Sequence, residues 1–483
     1  MVGKQCLIVG AFVVLLAACT SNTAEIDADT VKSDGDDADV VDDAVDDVIL
    51  VEAEEMLTDD VIDDDSPLPD MDNFSRITKQ WGTAVADAAT SVVVDAEGHI
   101  YIAGYTKGDL DGNKNAGGYD VFLAKLNMSG DIIWTRQWGT SADDIGFSVA
   151  IDANGDLYVV GQTAGSLEGN ASVGEIDIFL TKWRADGTKG WTRQWGTPEA
   201  DSGASVAIDS AENIYVTGMT NGSFDGNTNS GWRDIFLSKW RADGIKVWTK
   251  QWGTSDLDEG TSVSVDLAGN IYVTGNTAGS LDGNIYGGGD SCMWGACSDV
   301  FLTKWSADGT KAWTRQRGAT GEDRSASVVV GGTDIYMTGQ ASGPLDESID
   351  AGNYSLFLLK WNNEGSLTWF HQEGGAQFYQ KYGVAVAVDS TGSVYVAGDT
   401  LMMLTDQEPP EWSATDIFLA KWNGDGTKAW TEQWGAYYFE DRAKAMTIDA
   451  SGTIYVVGYT ASSFDGNSSS GVIDIFLSII STE

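Results

Sequence analysis

Trp191-Thr192-Arg193-Gln194-Trp195-Gly196-Thr197, preceded by Asp177-Ile178-Phe179-Leu180-Thr181-Lys182-Trp183, is a stretch that the chain writes seven times. Its glutamine recurs at Gln80, Gln137, Gln194, Gln251, Gln316, Gln372 and Gln433, at spacings of 57, 57, 57, 65, 56 and 61 residues. Self-similarity at such a period marks a repeat architecture, in which each unit buries its apolar face against the next.

Within the second unit, Ser148 to Asp152, Leu157 to Gly161, Asp177 to Trp183 and Gly190 to Gly196 read as four short strands, here called A, B, C and D. They are rich in Val, Ile, Phe, Tyr and Trp and are separated by Gly, Asn and Asp. Asn154-Gly155 and Asp186-Gly187 are hairpin signals for the A–B and C–D connections. Four antiparallel strands per unit, with no helical pattern between them, predict an all-β fold, a seven-bladed β-propeller of four-stranded blades. Ile178, Phe179 and Leu180 run without a polar break, as a sheet covered on both faces requires. Strand D puts Trp191, Arg193 and Trp195 on one face, which predicts an arginine held between two indoles, worth about 0.5–1 kcal/mol.

The ends of the repeat region decide how the ring closes. Phe74 to Gly82 reads as a lone strand D, whereas Asp474 to Ile480 is a strand C with no strand D after it. Pairing the two ends completes the seventh blade and removes the exposed edges.

Two segments precede the repeats. Residues 1–18 combine Lys4, an apolar run from Leu7 to Leu16, and Ala17-Ala18 before Cys19, which has signal-peptide proportions. Leu16-Ala17-Ala18-Cys19 resembles the bacterial lipobox, and that resemblance implies acylation of Cys19, with Thr20 favouring the outer membrane. The other reading is an ordinary secretory signal; either way the mature chain is expected to be exported. Residues 19–73 read as a disordered acidic tether, since 21 Asp or Glu face a single Lys32 between Thr20 and Asp72. Of the formal charge of −45, the tether holds −20 and the repeats −26. Binding through nucleic-acid phosphates needs the opposite sign and is excluded on that ground.

The signatures at Trp248 to Thr254 (W-x-x-Q-W-G-T), Asp266 to Thr277 (D-x-x-G-x-I-Y-V-x-G-x-T) and Asp234 to Trp240 (D-I-F-L-x-K-W) are similar to those of the bacterial beta-propeller repeat family SBBP. The resemblance covers residues 74–483 and implies a propeller, without implying an activity. Unit five departs from the pattern at Arg317, Gly331 and Ser355.

Candidate site residues are few. His99 and His371 fall on positions that other units fill with Asn213 and Arg193, so both are expected to be exposed and structural. The chain has no H-E-x-x-H and no G-x-S-x-G, which leaves a carboxylate pair as the remaining route to catalysis, of the glycosidase or lyase type. Cys292 and Cys297 bracket a small loop in the insertion that lengthens the fourth spacing, and export favours a disulfide between them. Loops B–C and D–A emerge on one side of a propeller. On the D–A side an aspartate stands four residues before strand A, at Asp87, Asp144, Asp201, Asp258, Asp323 and Asp441, with Lys381 in blade six. These read either as backbone caps or as a ring of carboxylates around the channel mouth that attracts Ca2+ or a basic partner. Asp111, Glu168, Asp225, Asp282 and Asp465 recur in the B–C loops as turn formers or oxygen ligands. Of nineteen tryptophans, Trp232, Trp294 and Trp412 alone fall outside the repeat register, all in B–C loops. They are the candidate contacts for a protein or a carbohydrate. The sequence thus predicts a monomeric, exported, lipid-anchored binding module at the outer membrane or cell surface, touching the membrane only through its lipid.

Overall fold

The structure is a computed structural model and describes residues 74–289, 297–345, 354–374, 381–401, 415–436 and 438–482. The expected signal peptide, Cys19 and the tether lie outside the described residues, as do Cys292, Trp294 and Trp412. The described residues form seven four-stranded antiparallel sheets. In blade two the strands are Asp144–Ile151, Leu157–Thr163, Asp177–Trp183 and Lys189–Trp195. The first strands of neighbouring blades approach one another all round the ring, which places strand A at the axis and strand D at the rim.

Ring closure is as the ends of the repeat region require. Phe74–Trp81 pairs antiparallel with Asp474–Thr482, from Phe74 opposite Thr482 to Trp81 opposite Ile475. It is the outermost strand of a sheet whose other three strands come from the carboxy-terminal end. The seventh blade is therefore built from both ends of the chain.

Each junction between blades is a separate apolar core. Phe179 packs toward Tyr101 and Leu123 of blade one, while Ile178 and Leu180 pack toward Ile214, Val216 and Phe236 of blade three. Alternate residues of one strand thus serve two junctions, and all three are fully buried. Burying a side chain of this size contributes roughly 1.5–3 kcal/mol. At the rim, the last tryptophan of strand D meets the strand C tryptophan of the next blade, as in Trp195 with Trp240 at 4.6 Å and Trp138 with Trp183 at 5.1 Å.

Three local features differ from the sequence reading. Strand A begins at the aspartate itself, four residues earlier than expected, because a β-bulge between Gly146 and Ser148 breaks the alternation that would reveal it. The bulge recurs in every blade, and in blades one to five its serine hydroxyl reaches across the junction, as where Val149 N–H donates to Ser91 Oγ at 3.1 Å and Val263 N–H to Ser205 Oγ at 3.2 Å; blades six and seven have Ala385 and Ala445 there. The cation between two indoles is a lysine, since Lys189 lies 4.6 Å from Trp183 and 5.2 Å from Trp138. Arg193 covers only Trp191, at 5.1 Å, because its Nε donates to the Gly244 carbonyl of the next blade at 3.0 Å. Blade five keeps four strands despite its departures, with Gly331 opposite Asp334 across a two-residue turn in which Gly332 has φ 64°.

Candidate functional site

Strand pairing puts the start of A, the end of B and the start of C at one end of each blade: Asp87 is opposite Thr106, and Thr106 opposite Asp120. The B–C and D–A loops therefore share a face. Two polar devices hold it in shape.

The first is the glutamine of the repeat. Gln251 Nε2 donates to the Gly222 carbonyl at 2.9 Å and to Asp234 Oδ2 at 3.0 Å, while its Oε1 accepts from Phe224 N–H at 2.9 Å. Gln137, Gln194, Gln316 and Gln372 bind their own B–C loops in the same way. A side chain that satisfies three buried backbone or carboxylate groups at once explains its place at the centre of the repeat.

The second device is the strand A aspartate. Asp87, Asp144, Asp201, Asp258, Asp323 and Asp441 are all fully buried, so they do not line a channel mouth. Because the strand starts at these residues, their side chains turn into the junction. Asp201 Oδ2 accepts from the Thr197 hydroxyl at 3.0 Å, and Asp258 Oδ2 from the Thr254 hydroxyl at 2.9 Å. Each also donates its own N–H across the junction to the residue before strand C of the preceding blade, as Asp258 does to Arg233 at 3.0 Å. This is the geometry of a cap at a strand entrance. Burial pushes the carboxyls of Asp201, Asp258 and Asp441 up to about 6 and that of Asp323 up to about 7; threonine donors oppose the shift at the first three and the Ala319 and Ser342 N–H groups at Asp323, and a strand C aspartate of the preceding blade adds to it.

The B–C acidic residues form turns tied to strand D. Asp111, Glu168, Asp225, Asp282 and Asp465 all adopt positive φ, between 48° and 52°. Lys246 Nζ lies 2.7 Å from Asp225, Lys311 Nζ 2.7 Å from Asp282, and the Thr78 hydroxyl donates to Asp465 at 2.6 Å. Between these turns the outermost surface of the face remains acidic, with Asp109, Asp143, Glu175, Glu199 and Asp256 exposed.

Trp232 stands on this face with 77% of its surface exposed. The residue after it is pinned: Arg233 donates to Glu259 at 3.0 Å, and its carbonyl accepts from Asp258 N–H. The indole is thus held outward by a fixed backbone. Cys297 is buried and disulfide-bonded. Of the histidines, both half-buried, His371 stacks on Trp422 with ring centres 6.5 Å apart, and His99 Nδ1 lies 2.9 Å from Asp95. Asp95, Glu97 and His99 form the one cluster among the described residues with metal-ligand proximity. Asp95 is already committed there, accepting from the N–H groups of Glu97 and His99 and from the Tyr101 hydroxyl, the A–B turn staple that recurs at Asp209 with Tyr215.

Residues 133–168, 190–225, 247–282 and 368–401 match the family described as Beta-propeller repeat, SBBP. Those four segments are similar to SBBP beta-propeller repeats. Each matched segment runs from strand D of one blade through strands A and B of the next, so the SBBP unit spans a blade junction. Regulatory protein FlaEY of Caulobacter vibrioides is 25% identical over 247 residues, covering 50% of this chain and 25% of that protein. The uncharacterized WD repeat-containing protein L264 of Acanthamoeba polyphaga mimivirus is 20% identical over 419 residues, covering 64% of this chain and 30% of that protein. The chain thus spans less than a third of the length of either relative. Among solved structures, a polysaccharide lyase of family PL25, an ulvan lyase, shares 11% identity over 82% of this chain and 95% of its own, with a TM-score of 0.49. The WD40 propeller domain of Doa1 shares 12% identity over 84% and 98%, with a TM-score of 0.44.

Proposed function

We propose that this chain is an exported, lipid-anchored propeller that acts as a non-catalytic binding or scaffolding module at the cell envelope. Its partner is a protein with a basic surface, bound on the face made by the B–C and D–A loops. The observation that carries this reading is Trp232, an outward indole on a rigid loop, set among exposed carboxylates. Aromatic anchors of this kind dominate binding energy, and a surrounding field of one sign steers a partner of the other. Catalysis is not assigned to the six strand A aspartates, since a substrate does not reach a fully buried carboxyl.

Trp232→Ala is expected to weaken partner binding at least tenfold, a loss of about 1.4 kcal/mol or more. Pull-down from an envelope fraction at two salt concentrations checks it; equal capture by wild type and variant overturns the assigned face. A glycan array run on the same pair decides for carbohydrate recognition if the indole is required there and not for protein capture. The anchor has its own test. Metabolic labelling with palmitate is expected to mark the wild-type chain and to be abolished in Cys19→Ala, and a label that survives the substitution refutes the lipobox reading.

A further inference from the structure

Six of the seven junctions bring two carboxylates together, all of them fully buried except the half-buried Asp416. The strand A aspartate of one blade meets the first residue of strand C in the blade before it, giving the pairs Asp474 with Asp87, Asp120 with Asp144, Asp177 with Asp201, Asp234 with Asp258, Asp299 with Asp323, and Asp416 with Asp441. The glycine of the W-G dipeptide lies between the members of a pair. A Cβ on Gly253 would stand 2.5 Å from Asp234 Oδ1 and 2.9 Å from Asp258 Oδ2, and one on Gly82 would stand 2.6 Å from Asp474 Oδ1 and 2.9 Å from Asp87 Oδ2.

These pairs carry no internal counter-charge. Among the described residues, no Lys or Arg makes an ion pair with any of the carboxylates in them. In four of the six pairs the strand C member has one committed oxygen and one without a partner, whereas Asp177 Oδ1 accepts from Gly174 N–H at 3.1 Å. Asp234 Oδ2 accepts from Gln251 Nε2 at 3.0 Å and from Ser230 N–H at 2.9 Å, whereas Asp234 Oδ1 is buried with no partner. Oδ1 of Asp120, Asp299 and Asp474 is orphaned in the same way. The seventh junction shows how the charge is balanced when side chains do it. There Lys381, 3% exposed, replaces the strand A aspartate, Ser355 replaces the strand C one, and Lys381 Nζ lies 2.9 Å from Glu373.

Two buried carboxylates that close together do not both stay ionised. We propose that each of the six paired junctions holds one proton, shared between Oδ1 of the strand C aspartate and Oδ2 of the strand A aspartate. The propeller is then a ring tightened by acid at six junctions and locked independently of pH at the seventh. No bond is made or broken beyond the O–H, and the proton comes from solvent.

The other groups that bear on the pairs are acidic too: Glu322 on Asp323, Asp465 on Asp441 and Asp109 on Asp120. Each raises the proton's affinity. Because the folded carboxyls sit above the ordinary 3.8, at about 6 for Asp201, Asp258 and Asp441 and about 7 for Asp323, their contribution is complete below 3.8 and is lost as pH rises through 6 to 7. Asp95, Asp389 and Asp449 in the A–B turns are shifted the other way by backbone and tyrosine donors, and their contribution is lost on the acid side.

Thermal melts of the full chain in EDTA, at fixed ionic strength, are expected to peak near about pH 5 and to fall by roughly 5–10 °C by about pH 8. In the triple variant Asp120→Asn, Asp234→Asn, Asp299→Asn, an amide N–H replaces the shared proton permanently. It is expected to melt higher than wild type at the alkaline end and to keep about half of the pH dependence. Infrared spectroscopy reads the same proton without reference to stability: a protonated-carboxyl band persists in the wild type at neutral pH and is halved in the variant. A melting temperature that is flat or rises toward alkali, or no such band, overturns the proposal. So does calcium that restores the alkaline melt and stays bound through gel filtration, because a cation then neutralises the junctions.

Discussion

Deleting residues 74–82 is expected to lower the melting temperature of the propeller by roughly 10 °C. The scale follows from the unfolding entropy: at about 2.1 cal/mol/K per residue, a body of about 400 residues shifts by roughly 1 °C for each kcal/mol lost. The strand from Phe74 to Trp81 pairs over its whole length with Asp474–Thr482, and each backbone hydrogen bond contributes about 1 kcal/mol net. Its side chains close the junction as well. Gln80 donates to the Ser462 carbonyl at 2.8 Å and to Asp474 at 2.9 Å, and accepts from Phe464 N–H at 3.0 Å. The Arg76 guanidinium lies 4.9 Å from the Trp434 ring centre of blade six. Removal leaves the final strand as an unpaired edge, which invites association with other chains. Calorimetry of the full chain against the deletion measures the effect, and a synthetic peptide of residues 74–82 added to the deletion is expected to recover part of it. An unchanged melt means that the ring is held by its other junctions alone.

Blade count, strand order and closure are legible in the sequence because they follow from large apolar residues in fixed register. Ile178-Phe179-Leu180 and Trp191 to Trp195 read as strands C and D, and fold as such. Strand A hid its first four residues, since Asp144-Ile145-Gly146-Phe147 has the composition of a loop and the bulge that follows cancels the period of two. The burial of the aspartates is hidden for the same reason: a charge beside a turn reads as surface, and only the strand that begins on it turns it inward. Their pairing is further from reach. Asp120 and Asp144 belong to different blades, and nothing in the local pattern says that they share a pocket; it takes the ring to bring the start of one strand C beside the start of the next strand A. Lys381 does stand out in the sequence as the exception among six aspartates, but its meaning depends on Ser355 and Glu373, which the fold brings beside it. The indole of Trp232 is legible from register alone, because a tryptophan outside a repeat that uses all its others for packing has no junction to fill.

The bulge also explains a residue that the motif contains without explaining, and gives the second large effect. Strand B of every blade carries a glycine at its fifth position or one beyond: Gly104, Gly161, Gly218, Gly275, Gly339, Gly398 and Gly458. In each case a Cβ would fall well inside 3.0 Å of a strand A backbone carbonyl, that of Ser202 for Gly218, and within 3.0 Å of the strand C phenylalanine, Phe236 at 2.9 Å. Gly203 is opposite Gly218 and Ser205 opposite Thr217, so the extra residue of the bulge tilts the Ser202 carbonyl over the strand B backbone. A backbone oxygen cannot swing aside as a lysine would. Gly218→Ala is therefore expected to destabilise the chain by about 3 kcal/mol or more, through loss of the bulge and of the junction beyond it, where Ser205 Oγ accepts from Val263 N–H. Ser205→Ala, which removes that hydroxyl and keeps the bulge, is expected to cost only about 1 kcal/mol. Urea denaturation of the two variants beside the wild type separates the terms: a midpoint for Gly218→Ala no lower than that for Ser205→Ala shows that strand A can flatten its bulge, and that the glycine is not what the close approach demands.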